Sequence, residues 1–359
     1  MMRYCLYLCI ILSVLCCACA KTSPQASVPP EQISQASEKS KINDNKDGSS
    51  MNMENNSDYK LVIDNAESFL NAPMSTYKHP ALSAYENEKI VEVNSKDDLK
   101  IVTDEYLSVV KENIDPQTHL VKPLKLPVHL IFNVTSLNEL NDVLKWFKEK
   151  RDIVSTLEIR FAKDVVGDTM DMRIDLRTRP EDHNRVILTS LDDDPVDIRP
   201  LHIIVSGDVV QISNMVCNNC YALSTKVEAS VGRLFEAKKI SINGTKHVKK
   251  NQKFLIQTQM LVSSYTSNDE HPDIVFENCY FSDHELDKIL SVDEGFDHGY
   301  LRNVGFNQNT RMKFGFPVQK KLSMDHVVAS DGSVEIRLAG AKPEIEQKDC
   351  VLPEGAIRP

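Results

Sequence analysis

The chain has little glycine and few aromatic side chains. Its 359 residues include 12 Gly and one Trp, and Phe, Trp and Tyr together make up 6%. This glycine content, with no G-G-x-G-x-D copy, excludes a solenoid built from glycine-rich calcium-binding nonapeptides. Sugar-binding clefts stack sugar rings on exposed aromatic side chains, so the scarcity of these argues against a deep site for neutral sugars.

Signatures of common enzyme classes are missing as well. The sequence has no G-x-S-x-G nucleophile, no P-loop and no dinucleotide-binding fingerprint. Basic residues are in deficit, with 42 Lys and Arg against 52 Asp and Glu. Because a net acidic chain repels the phosphate backbone, we expect no nucleic-acid partner.

Residues 1–20 have the composition of a secretory signal. Arg3 is their one charged residue, and the apolar run is too short and wrongly flanked for a membrane span. Two processing sites fit this segment. Ala18-Cys19-Ala20 fits cleavage that releases a soluble protein, whereas LCCAC at 15–19 resembles a bacterial lipobox that leaves Cys19 lipidated. We favour the lipid anchor at Cys19, because a polar tether follows at once.

The tether comprises residues 20–58, directly after the signal at 1–19. It contains almost no large apolar side chains, so it cannot bury enough surface to offset its chain entropy. The sequence therefore predicts an extracytoplasmic protein on a flexible stalk at a bacterial outer membrane or cell surface. Its contact with the membrane would be through the lipid alone.

Three copies of a short unit organise the rest of the chain. They are ISNMVC at 212–217, FENCYF at 276–281 and LRNVGF at 301–306, each apolar-x-Asn-x-x-(Cys or Phe). An Asn at this place takes a tight corner and hydrogen-bonds its copies in the neighbouring coils. The repeat predicts a parallel β-solenoid in which the last residue of each unit, including Cys217, points into the core.

A helix with a clear start precedes these units. Ser136 and Glu139 form a capping box, and an apolar stripe follows as far as Phe147. Strands are predicted on either side, at 128–134 and 157–161. A second amphipathic helix is predicted at 97–113, and further strands at 89–93, 170–176, 185–189, 201–222, 234–242, 253–262, 274–281, 300–306 and 334–338.

The order strand, capped helix, strand, followed by the Asn units, resembles right-handed parallel β-helix proteins of the pectate-lyase type. The resemblance implies an all-β fold, a single-stranded right-handed parallel β-helix over residues 128–340. The N-terminal helix would cover the open end of the first coil, which otherwise exposes unpaired backbone groups. Residues 59–127 would form an N-terminal extension packed on the solenoid, and residues 341–359 a C-terminal tail.

A cationic segment at residues 226–253 is the candidate binding site. It carries eight basic residues against two acidic ones, Glu228 and Glu236. Outward side chains of stacked coils lie about 4.8 Å apart, so these cations would form a band suited to an anionic polysaccharide. The alternative is that they scatter around the coils and keep the surface soluble. The eight residues are Lys226, Arg233, Lys238, Lys239, Lys246, Lys249, Lys250 and Lys253.

The family resemblance also raises the question of catalysis, since many such proteins are polysaccharide lyases, C5-epimerases or polygalacturonases. The Arg-x-Pro-x-x-Arg element of pectate lyases is absent. The segment Met324-Asp325-His326-Val327 is similar to their Asp-His pair but lies too late in the chain. We therefore expect a non-catalytic binding or scaffold role. The alternatives are a divergent lyase or epimerase, and a surface component that associates with itself.

Two patterns bear on metals and cofactors. The first is Cys217-x-x-Cys220, to which Cys279 could add a third ligand. We expect these cysteines to pack in the core rather than bind zinc, because the sequence has no second CxxC and no paired His at ligand spacing. A disulfide is the alternative. Two acidic clusters offer carboxylates to Ca²⁺, but neither has the spacing of a calcium loop, and a solvated loop is the alternative. No cofactor is expected, with Ca²⁺ the one candidate ion. The clusters are Asp192, Asp193, Asp194 and Asp197, and Asp293, Glu294 and Asp297.

Overall fold

The computed structural model describes residues 66–114, 125–150, 153–163, 165, 173–177, 184–197, 202–220, 226–244, 258–264, 271–283, 288–292, 296–308, 314–330, 334–338 and 343–358. The predicted signal and tether, with Cys19, lie outside these residues.

Strands make up most of the described chain, and helices are few. The helices are α1 (Ala66–Leu70), α2 (Lys96–Glu112) and α3 (Leu137–Lys150), with a 3₁₀ helix at Pro80–Tyr85. The strands are β1 (Lys89–Val93), β2 (Leu126–Val134), β3 (Val154–Phe161), β4 (Arg173–Leu176), β5 (Arg185–Ser190), β6 (Val196–Asp197), β7 (His202–Cys220), β8 (Lys226–Gly244), β9 (Thr258–Ser264), β10 (Asp273–Asp283), β11 (Lys288–Val292), β12 (Phe296–Gln308), β13 (Phe314–Ala329), β14 (Val334–Leu338), β15 (Glu344–Lys348) and β16 (Ile357–Arg358).

All strand pairings within the described residues are parallel, so the chain winds as a β-solenoid and the predicted fold is confirmed. The long strands bend at corners and contribute to more than one side of the coil. We name the two principal sides face A and face B. Face A stacks β1, β2, β3, β5, residues 209–213, 234–238, 273–277, 296–302 and 321–325, and β15. Face B stacks β4, residues 202–207 and 226–231, β9, β11, residues 314–318, β14 and β16.

One corner of the coil is a column of left-handed residues. The three predicted Asn lie in it, and Asn303 Nδ2 donates to Asn278 Oδ1 at 3.0 Å, which confirms the predicted contact between copies for this pair. The column also includes residues that the repeat did not reveal. Its members, all with φ between 49° and 60°, are Asn214, Lys239, Asn278, Asn303, His326 and Asp349. The segment at 324–327 is therefore a further copy of the corner unit.

The interior is filled by apolar side chains that alternate along each strand. Phe281 and Phe306 stack with ring centroids 5.6 Å apart, and Phe276 packs edge-on against Phe281. Cys279 is fully buried, and burial raises the pKa of its thiol to about 12. A thiol with this pKa is an inert core residue at neutral pH. Cys217 pairs in register with Ile242, while the side chains of Cys217 and Cys220 lie outside the described ones.

The helices α2 and α3 lie at the N-terminal end of the solenoid, where α2 contacts β1 and α3 contacts β2. The capping box of α3 is confirmed: the Glu139 amide donates to Ser136 Oγ, and the Ser136 amide donates to Glu139 Oε2. Leu140, Val143 and Phe147 of α3 are buried in the main core, and α3 contacts β2 and β4. Since β4 is the first described strand of face B, α3 covers its edge, as predicted for a capping helix. Among the described residues, no helix has the length and apolarity to cross a membrane.

Candidate functional site

A segment at residues 66–88, which we call the strap, runs along the outer side of face A. It begins with Phe69, whose ring stacks on Tyr280 at 5.7 Å, and it ends with Glu88, which accepts a hydrogen bond from Thr156 at 2.8 Å. A side chain at Gly305 would collide with Phe69, so the glycine leaves room for that ring. The strap therefore crosses face A from β10 and β12 back to β3.

Apolar contacts hold the middle of the strap. Leu82 and Tyr85 pack on Val209, Leu234 and Val275, which point outward from three successive coils of face A. Each of these outward residues adjoins an inward apolar neighbour in the sequence. A strand that is apolar on both sides indicates that both sides are covered. These pairs of adjacent apolar residues, such as Val209-Val210, are thus the signal in the sequence that face A is covered.

Glu277 is the centre of an ion-pair network under the strap. Its side chain is 1% exposed, its carboxylate lies 2.8 Å from Arg302 Nη1, and the backbone amide of Ser75 donates to it. Lys238 Nζ lies 2.8 Å from Glu236 Oε1 and 3.9 Å from Glu277 Oε2. A buried carboxylate is stable only with such partners. The hydrogen bond from Ser75 to this network therefore adds a polar attachment of the strap to the apolar one.

A second network surrounds Asp208, which is almost fully buried. Arg233 Nε donates to Asp208 Oδ2 at 2.7 Å, and the Tyr85 hydroxyl donates to the same oxygen at 3.2 Å. Burial, followed by the negative charge of Asp208, raises the pKa of Tyr85 well above its ordinary value. The guanidinium of Arg185 lies over the Tyr85 ring at 5.7 Å. Arg233 thus serves the attachment of the strap.

The third network joins two histidines through Asp273. His79 Nε2 lies 2.9 Å from Asp273 Oδ2, and the Ala81 amide donates to His79 Nδ1, which assigns the ring proton to Nε2. His298 Nδ1 lies 3.0 Å from Asp273 Oδ1, and the His298 side chain is 54% exposed. This arrangement orients a solvent-exposed imidazole by a carboxylate, a geometry suited to proton transfer. Beside it, the rings of Tyr77 and Tyr300 stack at 4.8 Å.

The stability of the strap should depend on acid pH through Asp273. Burial raises the pKa of this carboxyl, but hydrogen bonds from His79 and His298 outweigh burial and hold the pKa below its ordinary value. Such a group stabilises the fold above its unfolded pKa of about 4, and this contribution is lost as pH falls through the folded pKa. Urea unfolding as a function of pH should show a smaller loss of stability below about pH 4 in Asp273→Asn than in the wild type. Equal slopes would contradict the assignment.

The structure divides the eight predicted polyanion-binding residues into groups. Lys238 lies on face A, Arg233 directly precedes the face A residues of β8, and both are ion-paired. Lys226 begins β8 opposite His202, and Lys239 occupies the left-handed corner, partly exposed. The four described residues therefore do not by themselves form the predicted cationic band. The remaining four, Lys246, Lys249, Lys250 and Lys253, lie outside the described residues.

The two acidic clusters considered for Ca²⁺ do not converge in the part of the chain that the structure describes. Asp194 lies 3.4 Å from Lys163 Nζ, and buried Asp297 lies 2.5 Å from Lys320 Nζ. Asp293 and Glu294 lie outside the described residues. Within the described ranges, no three His, Cys, Asp or Glu side chains lie close enough together to hold a metal ion.

Comparison with known proteins gives no relative. No protein-family model matches the chain, no curated protein matches it, and no solved structure matches it.

A cleft between α2 and α3 is a second candidate site, which the sequence did not reveal. Its volume is about 540 Å³, and it opens where β1 and β2 end and the two helices begin. This volume is within the range of small-molecule sites. The lining residues are Val93, Asn94, Ser95, Lys96, Leu99, Phe132, Asn133, Glu139, Asp142, Val143, Lys145, Trp146 and Glu149.

Proposed function

We propose that the protein is an exported, lipid-anchored scaffold or binding protein, with an anionic polysaccharide as its ligand. The observation that carries the proposal is the strap over face A. The carboxylates Asp208, Glu236 and Glu277 beneath it are buried and paired with cations of the same chain. A surface whose charges are neutralised internally and covered by the chain itself offers no open groove for a polymer to react in. The solenoid then serves as a rigid body that carries binding surfaces elsewhere.

The proposed binding surface is the cationic segment at 226–253. Because Arg233 and Lys238 are engaged by Asp208, Glu236 and Glu277, we assign the contribution to Lys226, Lys239 and the four lysines between 246 and 253. Lysine side chains attract a polyanion through charge, and this attraction is screened by salt. Anchoring at Cys19 would hold this surface at the outer membrane or cell surface.

A second candidate function is a polysaccharide lyase or epimerase, and the Asp273–His298 pair favours it. Removal of the proton next to a uronate carboxylate needs a positioned base. His298 is oriented by Asp273 and exposed, and it lies at the margin of the strap beside Tyr300. In this alternative the imidazole Nε2 takes the proton.

One experiment separates the two candidates. The mature protein is incubated with acidic and neutral polysaccharides, and binding at low and high salt is recorded with the ultraviolet absorbance of unsaturated uronyl product. We expect binding to acidic polymers alone, weakened by high salt, with no product. We expect Lys239→Gln to weaken binding by roughly two- to fivefold, the size of one exposed charge contact. Arg233→Gln, the matched control, should lower stability with little change in affinity.

Other outcomes reject the scaffold proposal. Product that disappears in His298→Gln but persists in the control His326→Gln would establish the lyase. Epimerisation yields no unsaturated product, so proton exchange at the uronate carbon is followed in heavy water in the same variants. No binding and no reaction, with a molecular mass that grows with protein concentration, would instead support self-association.

A further inference from the structure

We propose that the cleft between α2 and α3 binds an amphipathic organic cation, a molecule with an apolar body and one ammonium group. The inference is independent of the polysaccharide proposal, since the cleft shares no residue with the segment at 226–253. It rests on three properties of the cleft: its apolar floor, its unpaired carboxylates and the absence of a free anion site at its helix N-terminus.

The floor of the cleft is apolar and includes an aromatic ring. Phe132 and Val143 are buried, and Trp146 is partly exposed, with its ring 5.7 Å from that of Phe132. Leu99 of α2 forms the opposite wall. The face of an indole attracts cations through its quadrupole, more strongly than any other side chain ring. The floor can therefore receive both the apolar body and the charged head of such a ligand.

Carboxylates line the same side of α3 as the indole. Glu139, Asp142, Trp146 and Glu149 follow one another at spacings of three and four residues, which places them on one helical stripe. Glu139 is occupied by hydrogen bonds from Thr135 and Ser136. Asp142 and Glu149 are exposed and, among the described residues, have no hydrogen bond or ion pair. The lining holds three carboxylates against two lysines, so its excess charge is negative.

The N-terminus of α2 at the cleft does not offer an anion site. Its own capping box occupies it: Ser95 Oγ accepts from the Asp98 amide, and Asp98 accepts from the amides of Asn94 and Ser95. The carboxylate of Asp98 already complements the positive end of the helix dipole. An incoming anion would meet Asp98 and the acidic stripe of α3, whereas a cation is attracted by both.

Trp146 allows a direct test, because it is the one tryptophan of the chain. The probe is benzyltrimethylammonium, and intrinsic fluorescence of the mature protein is the signal. We expect a saturable change in emission, whereas benzyl alcohol and benzenesulfonate, the neutral and anionic counterparts, should give none. The double variant Asp142→Asn/Glu149→Gln should weaken the affinity for the cation by roughly tenfold, from the loss of two exposed charge contacts.

Two controls keep the result interpretable. Glu112→Gln removes an exposed carboxylate at the far end of α2 and should leave the affinity unchanged. The double variant should keep the wild-type urea midpoint, because it changes exposed side chains. The proposal is overturned if the emission change is not saturable, if benzenesulfonate binds equally well, or if the folded double variant retains wild-type affinity.

Discussion

Replacing Glu277 with alanine should lower the free energy of unfolding by about 3–5 kcal/mol, the cost of breaking a buried ion pair from one side. The Glu277 carboxylate is 1% exposed and lies 2.8 Å from Arg302 Nη1. Its loss leaves Arg302 and the Ser75 amide without this acceptor beneath the strap. Urea unfolding followed by far-ultraviolet circular dichroism of the mature protein measures the change.

A surface carboxylate gives the matched control. Glu344 lies 3.3 Å from Lys321 Nζ, but its side chain is 62% exposed. Exposed ion pairs contribute about 0–1 kcal/mol, so Glu344→Ala should change stability by no more than that. Glu277→Gln keeps the shape and one acceptor oxygen and should lie between the two. If Glu277→Ala were no more destabilising than Glu344→Ala, the buried network would not stabilise the strap.

Phe69→Ala should be the second strongly destabilising change, at about 3–5 kcal/mol for a buried phenylalanine. The Phe69 side chain is 3% exposed and packs on Tyr280 and Val328 at the start of the strap. Removing the ring opens a cavity over Gly305, because the glycine has no side chain that could fill the space. Limited proteolysis of the folded variant, read together with urea unfolding, should show new cleavage within residues 66–88.

Two controls address the neighbourhood of Phe69. Glu67→Ala changes an exposed residue on the same helix and should leave both the urea midpoint and the cleavage pattern unchanged. Gly305→Ala approaches the contact from the solenoid, since the new Cβ would lie 2.8 Å from atoms of Phe69 and Tyr280. It should release the strap as Phe69→Ala does. Wild-type resistance to protease in both variants would show that Phe69 does not anchor the strap.

The fold could be predicted because asparagine marks the corner of the coil. Asn adopts positive φ more readily than other residues with a side chain, so its recurrence is a backbone signal. Lys239 and His326 occupy the same corner in place of Asn, so the repeated Asn does not mark their coils, and the coil containing His326 went unnoticed. The start of α3 could also be predicted from the sequence, because a capping box is contained within four residues.

The strap could not be placed from the sequence because its partners are distant. Ser75 and Glu277 are 202 residues apart, and neither has a local pattern that selects the other. Which residue of face A contacts the strap depends on which outward side chains the stacked coils align. That alignment is set by the register of all the strand pairs. Adjacent apolar residues such as Val209-Val210 indicate that face A is covered, but they do not identify the segment that covers it. The cleft beside Trp146 likewise requires the packing of two helices.

The most direct test of the account is hydrogen exchange of residues 66–88 in the mature protein. If the strap closes face A, the Ser75 amide, bonded to buried Glu277, and the Leu82 amide, bonded to the His79 carbonyl, should exchange slowly. Slow exchange should be lost at Ser75 in Glu277→Ala and kept in Glu344→Ala. Exchange across residues 66–88 as fast as in a free peptide would show that face A is open, and the scaffold proposal would then lose its support.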